Sequence, residues 1–323
     1  MQFDERTELR RRLTAGESLS VIASALGRQT STISREVSRN GGVLAYRPWK
    51  AQLRANRLAR RPKAFKLERH RKLARWVSEK LELRWSPEQI AGRLRRDHPH
   101  DPRWWVSAET IYQSLYVQAR GGLNEELTRY LRTRRPKRRA SQANRGHGQL
   151  NDMVMISERP PEADDRRVPG HWEGDLLQGG RNSQIATLVE RTSRYLIPVA
   201  LPDGRTAPLV AAALSERIHQ LPEHLKRSLT WDQGKEMAQH VTFSVATGVP
   251  VYFCEPAKPW QRGTNENTNR LLRDYFPKGH TDFRTITIEE LDQVAHELNN
   301  RPRKVLDYRT PAEAYAEAVA LTP

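Results

Sequence analysis

Cysteine is almost absent from this 323-residue chain, which contains a single one, Cys254. One cysteine excludes a disulfide framework and a cysteine-ligated zinc site, and its place beside Phe253 in an apolar run predicts a buried thiol. Long hydrophobic runs are lacking too: none approaches the roughly 18 apolar residues of a membrane span, and the N-terminus has no signal-peptide apolar region. We therefore expect a soluble, cytoplasmic protein with no membrane partner.

Acidic residues are scarce in the first half of the chain. Residues 1–150 hold 34 Lys and Arg against 14 Asp and Glu, whereas residues 151–323 hold 21 against 24, and the net charge is +17. A basic front half joined to a near-neutral back half indicates a polyanion-binding region attached to a domain of another kind. The alternative is charge that serves only solubility or non-specific adhesion.

The first 40 residues have the pattern of a helix-turn-helix. Apolar residues recur at helical spacing over Leu19–Leu26, Gly27 interrupts them, and a second helix is predicted from about Ser31 to Arg39. We expect a DNA-binding domain over residues 1–61. The side chains suited to base edges and phosphates in a major groove are Thr30, Ser31, Thr32, Ser34 and Arg35.

A second unit of the same kind is predicted over residues 62–131. Trp85–Gln89 caps one helix, and Val106–Tyr112 begins another, whose outward positions are Thr110, Gln113 and Ser114. Before it, a basic helix over Tyr46–Arg61 either follows phosphates or is a solvated face.

Residues 132–167 are predicted to be a basic, flexible linker. Its first part has no acid and is rich in polar residues, glycine and proline, so it cannot bury a core and is expected to contact the DNA backbone without reading sequence. The cations expected to do so are Arg134, Arg135, Lys137, Arg138 and Arg139.

From about residue 168 the pattern changes to strands and helices. The predicted order is three strands in a meander, then helix, strand, helix, strand, helix, over His171–Leu177, Ile185–Val189, Tyr195–Ala200, Ala207–Leu221, Leu229–Asp232, Glu236–Thr247, Val249–Cys254 and Gly263–Pro277. This is the element order of the ribonuclease-H-like fold. We therefore predict a multidomain protein, with all-α helix-turn-helix regions followed by an α/β ribonuclease-H-like catalytic core over residues 168–286. Helices over residues 287–323 would pack beside the core or form an oligomer contact.

Three carboxylates occupy positions that this fold brings together: Asp175 in the first strand, Asp232 at the end of the fourth, and Glu266 on the last helix. Carboxylate oxygens are hard ligands that suit Mg²⁺ or Mn²⁺, and a pair of such ions can activate a water or a 3′-hydroxyl for phosphoryl transfer. We predict that these three residues are catalytic and bind two ions. The alternative for Glu266 is an ion-paired surface face with Arg270 and Arg273.

Two further acids lie near the predicted site. Glu173 is expected to point away from it, which makes it a poor metal ligand. Glu236, four residues beyond Asp232, is a candidate for a supporting role behind the ligands.

The segments around these residues resemble the catalytic blocks of bacterial insertion-sequence transposases of the IS-thirty family. The blocks are Gly170–Asp175, Thr230–Glu236 and Gln261–Asn269, and the 33 residues between the second and third carboxylates are similar to the spacing of that family's DDE triad. Ser31–Glu36 and Trp85–Ile90 also resemble the family, so the similarity covers nearly the whole chain. Departures from the family pattern occur outside the triad, at Gln233 and His280.

The resemblance implies a retroviral-integrase-type core that cuts and joins DNA at the ends of a mobile element. The helix-turn-helix units would read terminal inverted repeats and target DNA, and at least a dimer would act on paired ends of DNA in the nucleoid. The residues that would position phosphates near the site, with structural ion pairing as the alternative, are Lys258, Arg262, Arg270 and Arg273.

Two other functions remain open at this point. A metal-dependent nuclease would cut without joining, but two helix-turn-helix candidates favour sequence-addressed duplex DNA. A catalytically dead DNA-binding regulator would not need the triad, which is intact.

Overall fold

The computed structural model describes residues 1–59, 66–116, 153–256 and 258–320. The chain divides into two compact units, Met1–Ala64 and Phe65–Pro323. The predicted DNA-backbone cations of the linker lie outside the described residues: Arg134, Arg135, Lys137, Arg138 and Arg139.

The first unit is helical throughout its described part. Its helices are α1 (Phe3–Thr14), α2 (Leu19–Ala25), α3 (Thr30–Arg39), α4 (Gly42–Ala45) and α5 (Pro48–Ala59). Leu9, Ile22, Ile33 and Tyr46 are fully buried in one small core. The basic helix predicted over Tyr46–Arg61 starts later, at Pro48. A proline suits the first position of a helix, because the N–H group that it lacks would have no partner there.

A buried ion pair fixes α3 within this unit. The Arg6 Nε atom of α1 lies 2.7 Å from Glu36 Oε1, the Tyr46 hydroxyl donates to the same oxygen over 3.3 Å, and Arg6 also bonds Gln52 on α5. Because Ile33 and Val37 bury the same side of α3, its other side is free to face a ligand.

The second unit begins with four more helices. They are α6 (Lys66–Arg69), α7 (Arg71–Glu82), α8 (Pro87–Asp97) and α9 (Ala108–Tyr116). They share a core of their own that includes Val77, Leu81, Trp85 and Ile90. Helix α8 starts with a reciprocal cap between Ser86 and Gln89, as its sequence predicts.

A six-stranded mixed sheet follows. Its strands are β1 (Val154–Met155), β2 (His171–Gln178), β3 (Gln184–Glu190), β4 (Leu196–Ala200), β5 (Ser228–Trp231) and β6 (Val251–Phe253), in the order β1-β6-β5-β2-β3-β4. The meander β2-β3-β4 is antiparallel, and β5, β6 and β1 extend it in parallel from β2. The predicted ribonuclease-H-like order is confirmed for β2 to β6. Strand β1, which lies in the range predicted to be flexible linker, was not predicted.

Five helices cover the described sheet. They are α10 (Ala207–His219), α11 (His240–Thr247), α12 (Gly263–Leu272), α13 (Ile288–Asn299) and α14 (Pro311–Ala320). One face of the sheet packs in a core with α10 and α11, and the other packs with α12 and α13. The helix predicted over Glu236–Thr247 is divided: a short 3₁₀ turn at Lys235–Met237 precedes α11. In the described ranges no helix has the length and apolar character that a membrane span requires.

Polar contacts attach α8 to the C-terminal part of the second unit. The Arg93 guanidinium makes two hydrogen bonds of 2.7 Å to the Glu313 carboxylate on α14, and Gln89 Nε2 donates to the Pro302 carbonyl over 2.9 Å. A Cβ at Gly92 would lie 2.3 Å from the Tyr308 ring, so glycine is what allows this close approach.

Candidate active site

Strand alternation places Asp175 and Asp232 on one face of the sheet. Successive side chains of a strand point to opposite faces, so Asp175 lies on the face of Glu173, and Asp232 on the face of Thr230. In the parallel pair β2–β5, Glu173 is the register partner of Thr230. Two residues further along each strand direction, the two aspartates therefore lie side by side, on the face that α12 covers.

A glycine between the two acids of β2 makes room for the opposite face. A Cβ at Gly174 would lie 2.1 Å from the ring of Trp231, which is fully buried. Trp231 directly precedes Asp232, so the packing of its indole against Gly174 fixes the end of β5 and the position of that aspartate.

The guanidinium of Arg262 joins the two aspartates. Its Nη1 lies 3.1 Å from Asp175 Oδ1 and its Nη2 lies 3.1 Å from Asp232 Oδ2, and Nη1 also donates to the Gly174 carbonyl over 3.0 Å. Burial raises the pKa of Asp175, Arg262 lowers it in part, and Asp232 raises it again. Burial opposes the charge of Arg262, but the two aspartates outweigh burial and raise the pKa of the guanidinium. The sequence left two roles open for Arg262, phosphate positioning and structural ion pairing. The structure shows the ion pairs.

An amide and hydroxyl network orients Asp175. Asn269 Nδ2 donates to Asp175 Oδ2 over 3.1 Å, and the Thr187 hydroxyl lies 3.1 Å from Asn269 Oδ1 and 3.2 Å from Asn265 Oδ1. The Asn265 amide in turn donates to the carbonyls of Glu173 and Thr187. Buried polar groups are costly unless they are paired, so this network has few other arrangements available.

Glu173 anchors the first turn of α12. It is fully buried, its carboxylate accepts the N–H groups of Thr264 and Asn265 over 2.9 Å each, and Arg191 pairs with it at 2.6 Å. A carboxylate at a helix N-terminus is favoured by the helix dipole and by the free N–H groups there. The prediction that Glu173 points away from the site was wrong, because residues two apart on a strand share a face.

Glu266 lies on the exposed side of this first turn. Partial burial raises the pKa of Glu266, the charge of Arg262 lowers it and the charge of Asp175 raises it, so Glu266 interacts electrostatically with both of these residues. Within the described ranges, no three His, Cys, Asp or Glu side chains are grouped closely enough to hold a metal ion. The structure thus joins two of the predicted ligands and leaves the third nearby.

Glu236 lies behind the site. The Trp231 indole N–H donates to Glu236 Oε1 over 3.4 Å. Burial raises the pKa of Glu236, and the charges of Asp232 and Asp175 add to that rise. Glu236 therefore lies close enough to the aspartates for their charges to raise its pKa.

The donor set fits a divalent cation. Asp175 and Asp232 supply hard oxygen atoms that already share one positive group, the Arg262 guanidinium. An ion held by both aspartates would take over that role, and Arg262 would have to withdraw.

Comparison with known proteins finds similarity along the whole chain. A helix-turn-helix domain model matches residues 1–40, and an integrase core domain model matches residues 165–259. The transposase InsI for insertion sequence element IS30A of Escherichia coli (strain K12) is 48% identical over 326 residues, which cover 100% of this chain and 85% of that protein. The chain belongs to the IS30 family of insertion-sequence transposases.

Other members of the family are similar over comparable lengths. The transposase for insertion sequence element IS1086 of Cupriavidus metallidurans is 45% identical and covers 99% of this chain and 95% of that protein. The transposase for insertion sequence element IS4351 of Bacteroides fragilis is 34% identical, with 94% and 91% covered. The crystal structure of the catalytic core domain of BIV integrase covers 46% of this chain and 95% of that one at 21% identity, but its TM-score of 0.37 is too low to add to the family match.

Family membership confirms the predicted transposase function and the predicted ribonuclease-H-like, integrase-type core. This IS30 transposase is an enzyme of the DDE polynucleotidyl transferase class, and its integrase core implies dependence on divalent metal. Its helix-turn-helix domain and its family indicate that it binds DNA.

The predicted base-reading side chains of the first helix-turn-helix lie at the surface. All of them are exposed on α3: Thr30, Ser31, Thr32, Ser34 and Arg35. This is the side of the helix that the apolar core and Glu36 leave uncovered, so these residues can reach a DNA groove.

The second predicted helix-turn-helix exposes fewer of its predicted reading residues. On α9, Gln113 is exposed and bonds Glu109, whereas Thr110 is half-buried and its hydroxyl bonds Ser107. The prediction that Ser114 faces outward was wrong: it is fully buried, and its hydroxyl donates to the Thr110 carbonyl over 2.8 Å. The helical period places it on the side of α9 that carries Ile111 and Leu115 into the core.

The remaining cations predicted near the site have partners within the protein. Lys258 pairs with Glu255, and Arg270 bonds Asn267 on its own helix. Arg273 Nη1 donates to the Gln178 carbonyl over 2.6 Å, and burial lowers the pKa of this arginine.

Sequence reasoning did not identify the side chains that position Asp175 and the first turn of α12. These are Thr187, Glu173, Arg191 and the amides of Asn265 and Asn269. The signal available was the spacing of the asparagines on either side of Glu266, which puts both amides toward β2 and β3.

Proposed function

We propose that this transposase binds the terminal inverted repeats of its element and uses Asp175, Asp232 and Glu266 to cleave DNA strands and join them to target DNA. The observation that carries the proposal is the pair of aspartates on adjacent parallel strands. Both aspartates pair with the Arg262 guanidinium, beneath the helix that carries Glu266. A nuclease that only cuts would need no addressed binding of two DNA segments, whereas this chain joins such a core to helix-turn-helix domains.

Asp175, Asp232 and Glu266 would hold Mg²⁺ or Mn²⁺, as two ions. Bound there, the metal would supply Lewis-acid activation of the attacking oxygen and charge stabilisation of the leaving oxygen. Asn269 keeps one Asp175 oxygen in place, and Glu173 holds the first turn of α12 and with it the backbone of Glu266.

DNA would contact several parts of the chain. Helix α3 reads base edges of the inverted repeats through its exposed polar side chains, and α9 adds contacts through Thr110 and Gln113. Lys258, Arg270 and Arg273 would exchange their internal partners for phosphates, since charge-assisted bonds to phosphate are stronger than bonds to neutral acceptors. Arg262, once displaced from the aspartates, would do the same.

We further propose the division into five regions given by the composition: 1–61 and 62–131 for DNA binding, 132–167 as a linker, 168–286 as the core, and 287–323 as C-terminal helices. At least two copies would act on paired ends, in the cytoplasm on nucleoid DNA. The basic front half of the chain supports this set of partners.

Glu266→Gln tests the assignment of the third acid. It keeps the side-chain shape but removes a charge, so we expect unchanged binding of a terminal-repeat duplex and loss of Mg²⁺-dependent strand cleavage by at least about 100-fold, the scale of one lost catalytic group. Binding is measured by gel shift and cleavage on a labelled duplex. Glu223→Gln, at an exposed acid before β5, is the matched control and should cleave normally. Cleavage by Glu266→Gln at the wild-type rate would remove Glu266 from the site.

A further inference from the structure

A cavity of about 330 Å³ lies beside the catalytic aspartates, and none of the proposed catalytic residues lines it. Its walls include Arg159, Arg166, Arg191 and Gln261, and the indole of Trp260, which is 67% exposed. We call it the arginine cavity.

Two hydrogen bonds connect the arginine cavity to the catalytic strands. Arg159 Nη1 donates to Thr230 Oγ1 over 2.9 Å, and Arg191 Nη1 donates to Glu173 Oε1 over 2.6 Å. Thr230 and Glu173 each lie two residues before a catalytic aspartate, on the same face of the same strand, which corresponds to about 7 Å along the strand. The cavity is therefore connected, through one hydrogen bond to each strand, to residues two positions before the two aspartates.

The cavity has a buried hydrogen-bond donor that no protein group satisfies. Arg159 is 94% buried, being 6% exposed, and its Nε atom has no hydrogen-bond partner. An unsatisfied buried donor is costly, and an anion in the cavity would satisfy it.

The acids that line the cavity are already paired. Asp164 bonds Arg159, and Glu255 pairs with Lys258. Arg166 is exposed, with no carboxylate partner among the described ion pairs, so it is available to a ligand that enters from solvent.

We propose that the arginine cavity binds one unpaired nucleotide of the substrate DNA next to the cleavage position, with its phosphate on the arginines and its base stacked on Trp260. This deepens the proposed function and rests on it. A cavity of this size cannot admit a duplex, whereas a single nucleotide matches both walls: arginines bind phosphate, and exposed aromatic rings stack bases. Stacking on Trp260 would compensate for the unpairing of the base.

The test is a double-mutant cycle between protein and DNA. Full-length wild type and Trp260→Ala are compared on duplexes of the element's end that carry one abasic position at a time around the cleavage point. Equilibrium binding is measured in Ca²⁺ and cleavage in Mg²⁺. We expect Trp260→Ala to weaken binding of the intact duplex about tenfold, a typical loss for one stacked base. When the abasic position replaces the base that stacks on Trp260, the Trp260→Ala substitution should cause no further loss of binding.

Trp260→Phe should restore most of the binding, and Val245→Ala, at an exposed apolar residue of α11, should leave the pattern unchanged. The phosphate is tested in the same way: Arg166→Ala and a neutral methylphosphonate at that nucleotide should weaken binding by no more together than either does alone. If the effects of Trp260→Ala and of the abasic lesion multiply at every position, the inference is wrong. If the coupling in binding is observed but the wild-type protein does not cleave the duplex, the result counts against the proposed function and not against this inference.

Discussion

The Arg262 guanidinium lies between Asp175 and Asp232, 3.1 Å from an oxygen of each, and at 9% exposure it is nearly out of solvent. Two carboxylates on adjacent strands repel each other unless a cation lies between them. Arg262 therefore holds the two aspartates together, and a divalent cation bound by both of them, as proposed, would displace it.

Arg262→Met separates these two roles. Without divalent ions the variant should be less stable than wild type by about 2 kcal/mol, because a partly buried pair of carboxylates loses its cation. Mg²⁺ should raise the Tm of the variant more than that of wild type, since no guanidinium has to leave. Thermal melts with EDTA and with Mg²⁺ measure both effects, and Arg217→Met, at a half-buried arginine on α10, is the control. Equal Mg²⁺ shifts in variant and wild type would contradict the displacement.

At this scale the sequence predicted the acids but not their partners. Asp175 and Asp232 follow from their places in two strands, because strand alternation and parallel pairing are local rules. The Arg262 contact spans 87 residues to Asp175, and it depends on how the turn before α12 seats against β2, which no spacing reveals. Glu173 is the opposite case. The strand period of two places it on the face of Asp175, contrary to the expectation from the sequence that it points away.

Among the elements, α3 and α12 perform opposite tasks. Helix α12 is buried on most sides and presents one acid, whereas α3 buries only Ile33 and Val37 and presents a polar face. What each helix presents at its surface follows from which of its residues are buried in the core. In α3 the period of 3.6 identified the exposed residues correctly, because the residues it buries, Ile33 and Val37, are apolar and lie on one side of the helix.

Arg35→Ala tests α3 as a reading helix. An arginine bidentate to a base edge contributes about 1–3 kcal/mol of discrimination, so we expect a loss of roughly 5- to 150-fold in preference for the terminal repeat over random duplex. Competition binding at fixed salt measures the ratio. Arg11→Ala, at an exposed arginine of α1 paired with Glu8, should change it little. An unaltered ratio in Arg35→Ala would exclude this residue as a reader.

Element boundaries were predicted less well than element order. Strand β1 has two residues and no periodic pattern, and its place at the sheet edge depends on pairing with β6 more than 90 residues away. The division of the predicted helix before α11 reflects the turn that follows Asp232, where the Gly234 N–H donates to the aspartate. In both places a long-range or site contact determined the backbone.

For the molecule as a whole, the second helical region is part of the same compact unit as the core. Polar contacts with the C-terminal segment join the two, and the two hydrogen bonds between Arg93 and Glu313 are prominent among them. DNA held by α9 would thus be held at a fixed distance from the aspartates. The sequence predicted both regions but not this attachment, because surface ion pairs between distant segments have no pattern in the chain.

A double-mutant cycle with Arg93→Met and Glu313→Gln measures the attachment. The hydrogen bonds from Arg93 lower the pKa of Glu313 from its ordinary value of 4.5 to about 2. Its stabilisation is therefore complete above pH 4.5 and is lost as the pH falls toward 2. We expect a coupling of about 1 kcal/mol in urea unfolding at pH 7, since the pair is partly exposed, and less at pH 3. The exposed pair Arg75–Glu79 provides the control, with about 0.3 kcal/mol. A coupling of zero at pH 7 would mean that the pair does not hold the two regions together.

Strand transfer by the purified full-length chain tests the central claim most directly. Wild type and Asp232→Asn are incubated with Mg²⁺, a labelled duplex of the element's own end and a supercoiled target. We predict labelled joint molecules with wild type and none with Asp232→Asn, which should still bind the duplex. Joint molecules formed equally by Asp232→Asn, or cleavage by wild type with no joining, would contradict a transposase that works through this carboxylate site.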